Sequence, residues 1–218
     1  MLDPTSPQDR AIAALMRLAE SRPWREIFMA DIAREAGLAY AELVDQFQCK
    51  ADVLAAFVKR VDREVEERMA AKPSSDGPRD RLFDALMTRF DVLQPYRPAL
   101  RRLTDEAPGI VTGLNPRVVA RSLRSSLEAA RIDQSGGLGC VKLAGLAGVY
   151  ARTLRTWLED DDPGQSRTMA KLDRQLRSGE QAIKTVEDIC VGLARLADAF
   201  RKRRSGTRET PAPPERPA

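Results

Sequence analysis

Tyr40, Ala41, Gln46 and Lys50 are the residues whose types and spacing could contact a nucleic acid, and they fall within the segment from Asp31 to Leu54. Two stretches of about two helical turns are separated there by Gly37. A glycine opening the turn between two short helices has helix-turn-helix geometry, in which the second helix can enter the major groove of a duplex. Tyr40 and Ala41 open that second helix, and Gln46 near its end has the donor and acceptor needed to read an adenine edge. Lys50 begins the following helix, where a cation and a helix N-terminus can grip a phosphate together. Glu42 and Asp45 carry the opposite implication, since carboxylates repel a phosphate-rich groove unless one accepts from a cytosine amino group.

Other chemistry is sparse. Among 218 residues there is no histidine, which removes Ser-His-Asp and Cys-His catalysis and His-ligated zinc together. Cys49, Cys140 and Cys190 are far apart and odd in number, a pattern that suits a reducing cytosol and forms neither a disulfide framework nor a CxxC metal site. Glu159, Asp160, Asp161 and Asp162 lack EF-hand spacing and read as a solvated helix end. The glycines between 136 and 148 contain no GxGxxG fingerprint after a strand. The chain therefore reads as a non-enzyme without cofactor or metal. With no basic and apolar leader at its N-terminus and no apolar run near the roughly 20 residues of a membrane span, it is expected to be cytoplasmic.

The formal charge of +4 invites a nucleic-acid reading, but it sits in the tail: from residue 201 onward six basic residues face two acidic ones, and the preceding 200 residues are neutral. Residues 1–60 carry eight basic and nine acidic side chains, net −1.

The elements that must position these residues all read at the helical period, so the fold class is all-α. Ile12, Leu15, Met16 and Ala19 stripe a first helix, 8–21, that stops before Pro23. Trp24, Ile27 and Phe28 fill a connection, a second helix runs 29–36 to a Gly37 cap, and a third, 40–46, turns Leu43 inward ahead of Phe47. A long helix follows over 51–71, and the Pro, Ser and Gly residues of 73–78 mark a domain boundary. Beyond it come a helix ended by Pro95, a short one at 97–105, one at 115–132 with Asn115-Pro116 as cap and first residue, and one from the 136–137 Gly-Gly turn to Leu158. Asp162-Pro163 starts another by the same cap logic, and the last runs 182–203. The domains expected are a helix-turn-helix head (8–60), a helical ligand-binding and dimerisation body (78–203) and a disordered tail (204–218).

Asp31-Ile32-Ala33-Arg34-Glu35-Ala36-Gly37, Leu43-Val44-Asp45-Gln46-Phe47 and Cys49-Lys50-Ala51-Asp52-Val53-Leu54 resemble the DNA-binding head of the TetR family of bacterial transcriptional regulators. The resemblance covers residues 8–60, about a quarter of the chain. It implies a homodimer that binds an operator in double-stranded DNA and answers to a small hydrophobic effector held in the second domain. Val44 departs from it, standing where the family usually has a phosphate-contacting tyrosine. A secondary similarity, through the same head with Thr156–Asp161 and Leu172–Leu176, is to the lipid-binding ubiquinone-biosynthesis proteins that keep this fold without acting on DNA. In that alternative Arg201, Lys202, Arg203 and Arg204 supply a peripheral contact with anionic lipid.

In the body, Leu86, Phe90, Leu123, Leu127, Leu146 and Trp157 are expected to line any ligand cavity, which would be apolar. The helix near 138–158 and the last helix offer more apolar face than one small domain needs, and are expected to pair across a two-fold axis.

Overall fold

The structure is a computed structural model. It describes residues 2–71, 77–106 and 116–183, with side chains in the last span from residue 118. Every regular element among the described residues is helical. All but the first two residues of the expected last helix at 182–203, most of the 73–78 linker, the basic cluster at 201–204 and the 204–218 tail lie outside the described residues.

Helix α1, Pro7–Ser21, begins with Ser6 as cap, its hydroxyl accepting from the Asp9 amide, and with Pro7 in the first turn, where a missing N–H costs nothing. Its buried stripe is Ala11, Ile12, Ala14, Leu15, Met16 and Ala19, and its last turn stops short of Pro23. A single 3₁₀ turn, Trp24–Glu26, leads to α2, Met29–Ala36, and then to α3, Tyr40–Gln46. The fourth helix, α4, spans Lys50–Ala70, and the fifth, α5, spans Pro78–Leu93. Because α4 packs against α1 as well as α5, it belongs both to the head and to the body. The remaining helices are α6, Arg97–Glu106; α7, Pro116–Ala129; α8, Gly136–Leu158; and α9, which starts at residue 166.

One connection matches expectation and one differs. α5 ends just ahead of Pro95, which sits in the opening of a 3₁₀ turn, Gln94–Tyr96, that passes directly into α6. Proline in a first turn removes no hydrogen bond that the helix would make. Asp162 does not cap a helix at Pro163. Its carboxylate accepts from the amides of Gly164, at 3.0 Å, and Ser166, at 3.1 Å, so the side chain closes a turn and α9 begins three residues later.

The chain divides into two units, Met1–Arg177 and Ser178–Ala218, and residues 178–183 of the second are helical. Within the first, one apolar cluster joins the head to the body. It contains Leu15, Met16, Ile32, Leu43, Val53 and Phe57 from α1–α4, together with Phe90, Leu100, Leu103, Leu154, Trp157 and Leu158 from α5, α6 and α8. The Phe57 ring meets Tyr96 edge-on, with centroids 4.9 Å apart. A second, smaller cluster gathers Leu82, Leu86, Leu123, Leu127, Leu146, Val149 and Leu172 from α5, α7, α8 and α9.

Candidate nucleic-acid interface

The α2–α3 pair is held by backbone and core rather than by charge. The Asp31 carboxylate reaches back to the Phe28 amide at 3.1 Å and caps α2. Gly37 takes the left-handed conformation at φ 64°, where a side chain would be strained, and the Leu38 amide then closes on the Ala33 carbonyl at 2.9 Å. Leu43 is fully buried and Phe47 nearly so, which leaves α3 anchored by one face and open on the other.

That open face carries Tyr40, 55% exposed, with Ala41, Glu42, Val44 and Asp45 beside it. Gln46 is half-buried, and its Oε1 is shut off from solvent without a hydrogen-bond partner among the described residues. Tyr40 and Ala41 therefore stand free on α3, while Gln46 sits at its edge and must turn outward to present that oxygen to a base.

The sequence assigned the Lys50 ammonium to a phosphate, and the geometry engages it inside the head. Its Nζ donates to the carbonyls of Trp24, at 2.6 Å, and Ile27, at 2.8 Å, and lies 4.7 Å from the Trp24 ring centre. Partial burial lowers its pKa from the ordinary lysine value. Two of its three N–H groups thus tie the start of α4 to the connection that precedes α2.

Most other cations of the head are similarly occupied, while Arg25 reaches only the adjacent Glu26, at 3.5 Å with its side chain 85% exposed, and Lys59 is exposed. Arg17 pairs with Glu35 at 2.8 Å, Arg22 and Arg34 share Asp31 at 3.2 and 2.6 Å, Arg60 pairs with the buried Asp9, and Arg10 donates to the Gly37 carbonyl. Hydrogen bonding to the Phe28 amide and to Arg22 holds the Asp31 carboxyl below the usual carboxylate range. Among the described residues Glu42 and Asp45 make no ion pair. The α3 face is consequently apolar and acidic, with Phe28, 63% exposed, close by in the chain at the cap of α2.

In the body, the six residues expected around a ligand are all buried, but they divide between the two apolar clusters. Leu86, Leu123, Leu127 and Leu146 belong to the smaller one, whereas Phe90 and Trp157 belong to the one shared with the head. Phe90 is stacked between Tyr150, at 5.8 Å, and Trp157, at 5.5 Å. A solvent-open cleft of about 660 Å³ lies elsewhere, between the end of α1 and α6, lined by Glu20, Gln94, Arg97, Arg101, Arg102 and Glu106. Most of the residues that line it are charged, unlike those of the cavity the sequence suggested.

Sequence reasoning missed a polar centre beside Phe90. Arg89 is 3% exposed, and its guanidinium bonds Asp62 of α4 and the Ser122 hydroxyl of α7, the latter at 2.7 Å. Ser122 in turn donates to the same Asp62 oxygen at 2.7 Å, and the guanidinium lies 5.9 Å from the Tyr150 ring centre. In a linear reading the only available signal is an arginine in a helix whose neighbours on both sides are apolar or uncharged.

No protein-family model and no curated protein matches the sequence. Solved structures do. The chain superposes on a TetR transcriptional regulator from Nitrosomonas europaea with a TM-score of 0.62 at 20% identity, covering 81% of this chain and 99% of that one. A TetR transcriptional regulator from a Rhodococcus species gives 0.59 at 19% identity over 79% and 94% of the two chains. A TetR-family regulator from Streptomyces coelicolor gives 0.54 at 16% over 88% and 91%. The chain has the fold of TetR-type regulators: a helix-turn-helix head joined to an all-helical body.

Proposed function

We propose that this protein is a dimeric DNA-binding transcriptional regulator whose head, residues 8–60, reads an operator and whose body, residues 78–203, senses a small apolar ligand. The observation that carries the reading is the α3 face, a short helix anchored by Leu43 and Phe47 and open along Tyr40, Ala41 and Val44, in a chain whose whole fold is that of TetR-type regulators. In this reading Tyr40, Ala41 and Gln46 meet the groove. Lys50 fixes the angle of the turn with two of its N–H groups and offers the third to a phosphate.

Dimerisation is supported by α8, which leaves Gly137, Cys140, Val141, Ala144, Gly145 and Ala151 on an exposed stripe of small and apolar side chains. Regulators bound by symmetric half-sites need two heads at a fixed spacing.

Selection of duplexes from a random pool at low salt tests the reading. An enriched sequence is expected, and Gln46→Ala should then alter base preference at one position by about 1 to 3 kcal/mol. Failure to enrich any duplex overturns the regulator and leaves the unpaired Glu42 and Asp45 as support for the alternative, a lipid- or quinone-binding accessory protein on the same fold.

A further inference from the structure

Arg89 is a buried charge in the body to which neither DNA binding nor dimerisation gives a task. Its side chain is 4% exposed, yet among the described residues its Nε has no hydrogen-bond partner. A buried donor left open on an ion is costly, and such a group in a native fold calls for an explanation. Its present partner, Asp62, is less deeply held, with 14% of the side chain exposed. Trp157, fully buried at the far end of the Phe90 stack, also has an indole N–H without a partner among the described residues.

The surroundings place this centre on a seam. Met87, Val119 and Tyr150 are each only partly buried, and each packs against both apolar clusters. On one side of the seam lie Leu86, Leu123 and Leu127, and on the other the stacked rings of Phe90 and Trp157. A guanidinium flanked by two apolar walls matches a molecule with one anionic end and an apolar body. A carboxylate fits it best, because two parallel N–H···O bonds from a planar fork match two carboxylate oxygens.

We propose that the ligand of the body is an amphipathic carboxylate whose acid group takes the Arg89 guanidinium in place of Asp62. This rests on the reading of the body as a ligand sensor and supplies its ligand class. Asp62 belongs to α4, the helix that Lys50 ties to the head, and Arg89 to α5. A ligand that takes Arg89 breaks the ion pair between those helices, and Asp62 turns outward to water. The apolar body of the ligand enters along Met87, Val119 and Tyr150, which move aside. Differential binding of this kind couples the ligand to the position of α4.

Decanoate and 1-decanol, which share a tail and differ in the acid group, are the probes, and the experiment contains no DNA. Trp24→Phe leaves Trp157 as the sole tryptophan of the chain, beside the proposed site, so its fluorescence reports binding at submicellar concentrations. Decanoate is expected to bind at least about tenfold more tightly than decanol, the size of one net charge-assisted contact. Asp62→Asn, which removes the competing carboxylate and keeps an amide in its place, should raise decanoate affinity by about tenfold and leave decanol unchanged. Arg89→Gln combined with Asp62→Asn, which leaves no unpaired buried charge, should abolish the preference for the acid. Equal affinity for acid and alcohol, no binding of decanoate, or an acid-to-alcohol ratio unmoved by Asp62→Asn overturns the proposal. Failure of the duplex selection overturns the regulator and leaves these outcomes intact.

Discussion

Lys50 and Arg89 look alike in the sequence, each a single cation near a helix, and the fold gives each a partner set that no local pattern announces. The carbonyls that hold Lys50 belong to residues 26 and 23 positions earlier, and the carboxylate that holds Arg89 lies 27 positions earlier. Pairing across such distances is set by helix packing, which is why the α3 residues were legible and these two roles were not. Lys50→Met keeps the apolar stem and strands two carbonyls, so it should cost about 1 to 3 kcal/mol in urea unfolding. Lys50→Arg should recover little of that, since a planar fork cannot meet both carbonyls from the same stem. Unchanged stability in both would return the ammonium to solvent. Asp160 makes a second residue-scale prediction. It is 1% exposed, and although burial raises its pKa, the Thr168 hydroxyl and amide at 2.7 and 2.8 Å outweigh that and hold it below the ordinary value. A carboxyl depressed in the folded state contributes stability above its unfolded pKa, near 4, and loses it as pH falls through the folded value. Asp160→Asn should therefore melt earlier at neutral pH, with the gap to the parent closing below about pH 4 in a thermal titration.

At the scale of elements, α2 and α3 begin and end where the sequence puts them, because a glycine at a left-handed position and the buried pair Leu43 and Phe47 are local signals. The start of α9 was not legible for the opposite reason. Aspartate is accepted equally by a helix cap and by a tight turn. The division of the six ligand-lining candidates between two clusters was hidden as well, since helical spacing reveals which residues face inward and not which neighbours they meet. The α3 face yields the prediction proper to this scale. Its carboxylates are unpaired and its position 44 is valine, so Val44→Tyr with Asp45→Arg should raise affinity for random duplex DNA. The dependence of binding on salt should steepen as one more phosphate is neutralised. Titrations at two ionic strengths check this, and an unchanged salt slope would mean that α3 does not face the backbone.

For the whole molecule, the exposed stripe of α8 makes the dimer its first prediction. Val141 is 47% exposed and Gly145 has open space around it. Val141→Glu should place like charges opposite each other across a two-fold axis and convert the dimer to monomer in light scattering at micromolar concentration. A parent protein that is already monomeric under those conditions would remove the two-headed regulator. The single apolar cluster running from Leu15 through Trp157 has a further consequence, for how such a chain can diversify. A head whose inner wall is completed by Leu100, Leu103 and Leu158 is not a cassette. Transplanted onto an unrelated sensor it would arrive with a raw hydrophobic face, and a new specificity for DNA must arise by substitution along α3 rather than by exchange of the module that bears it.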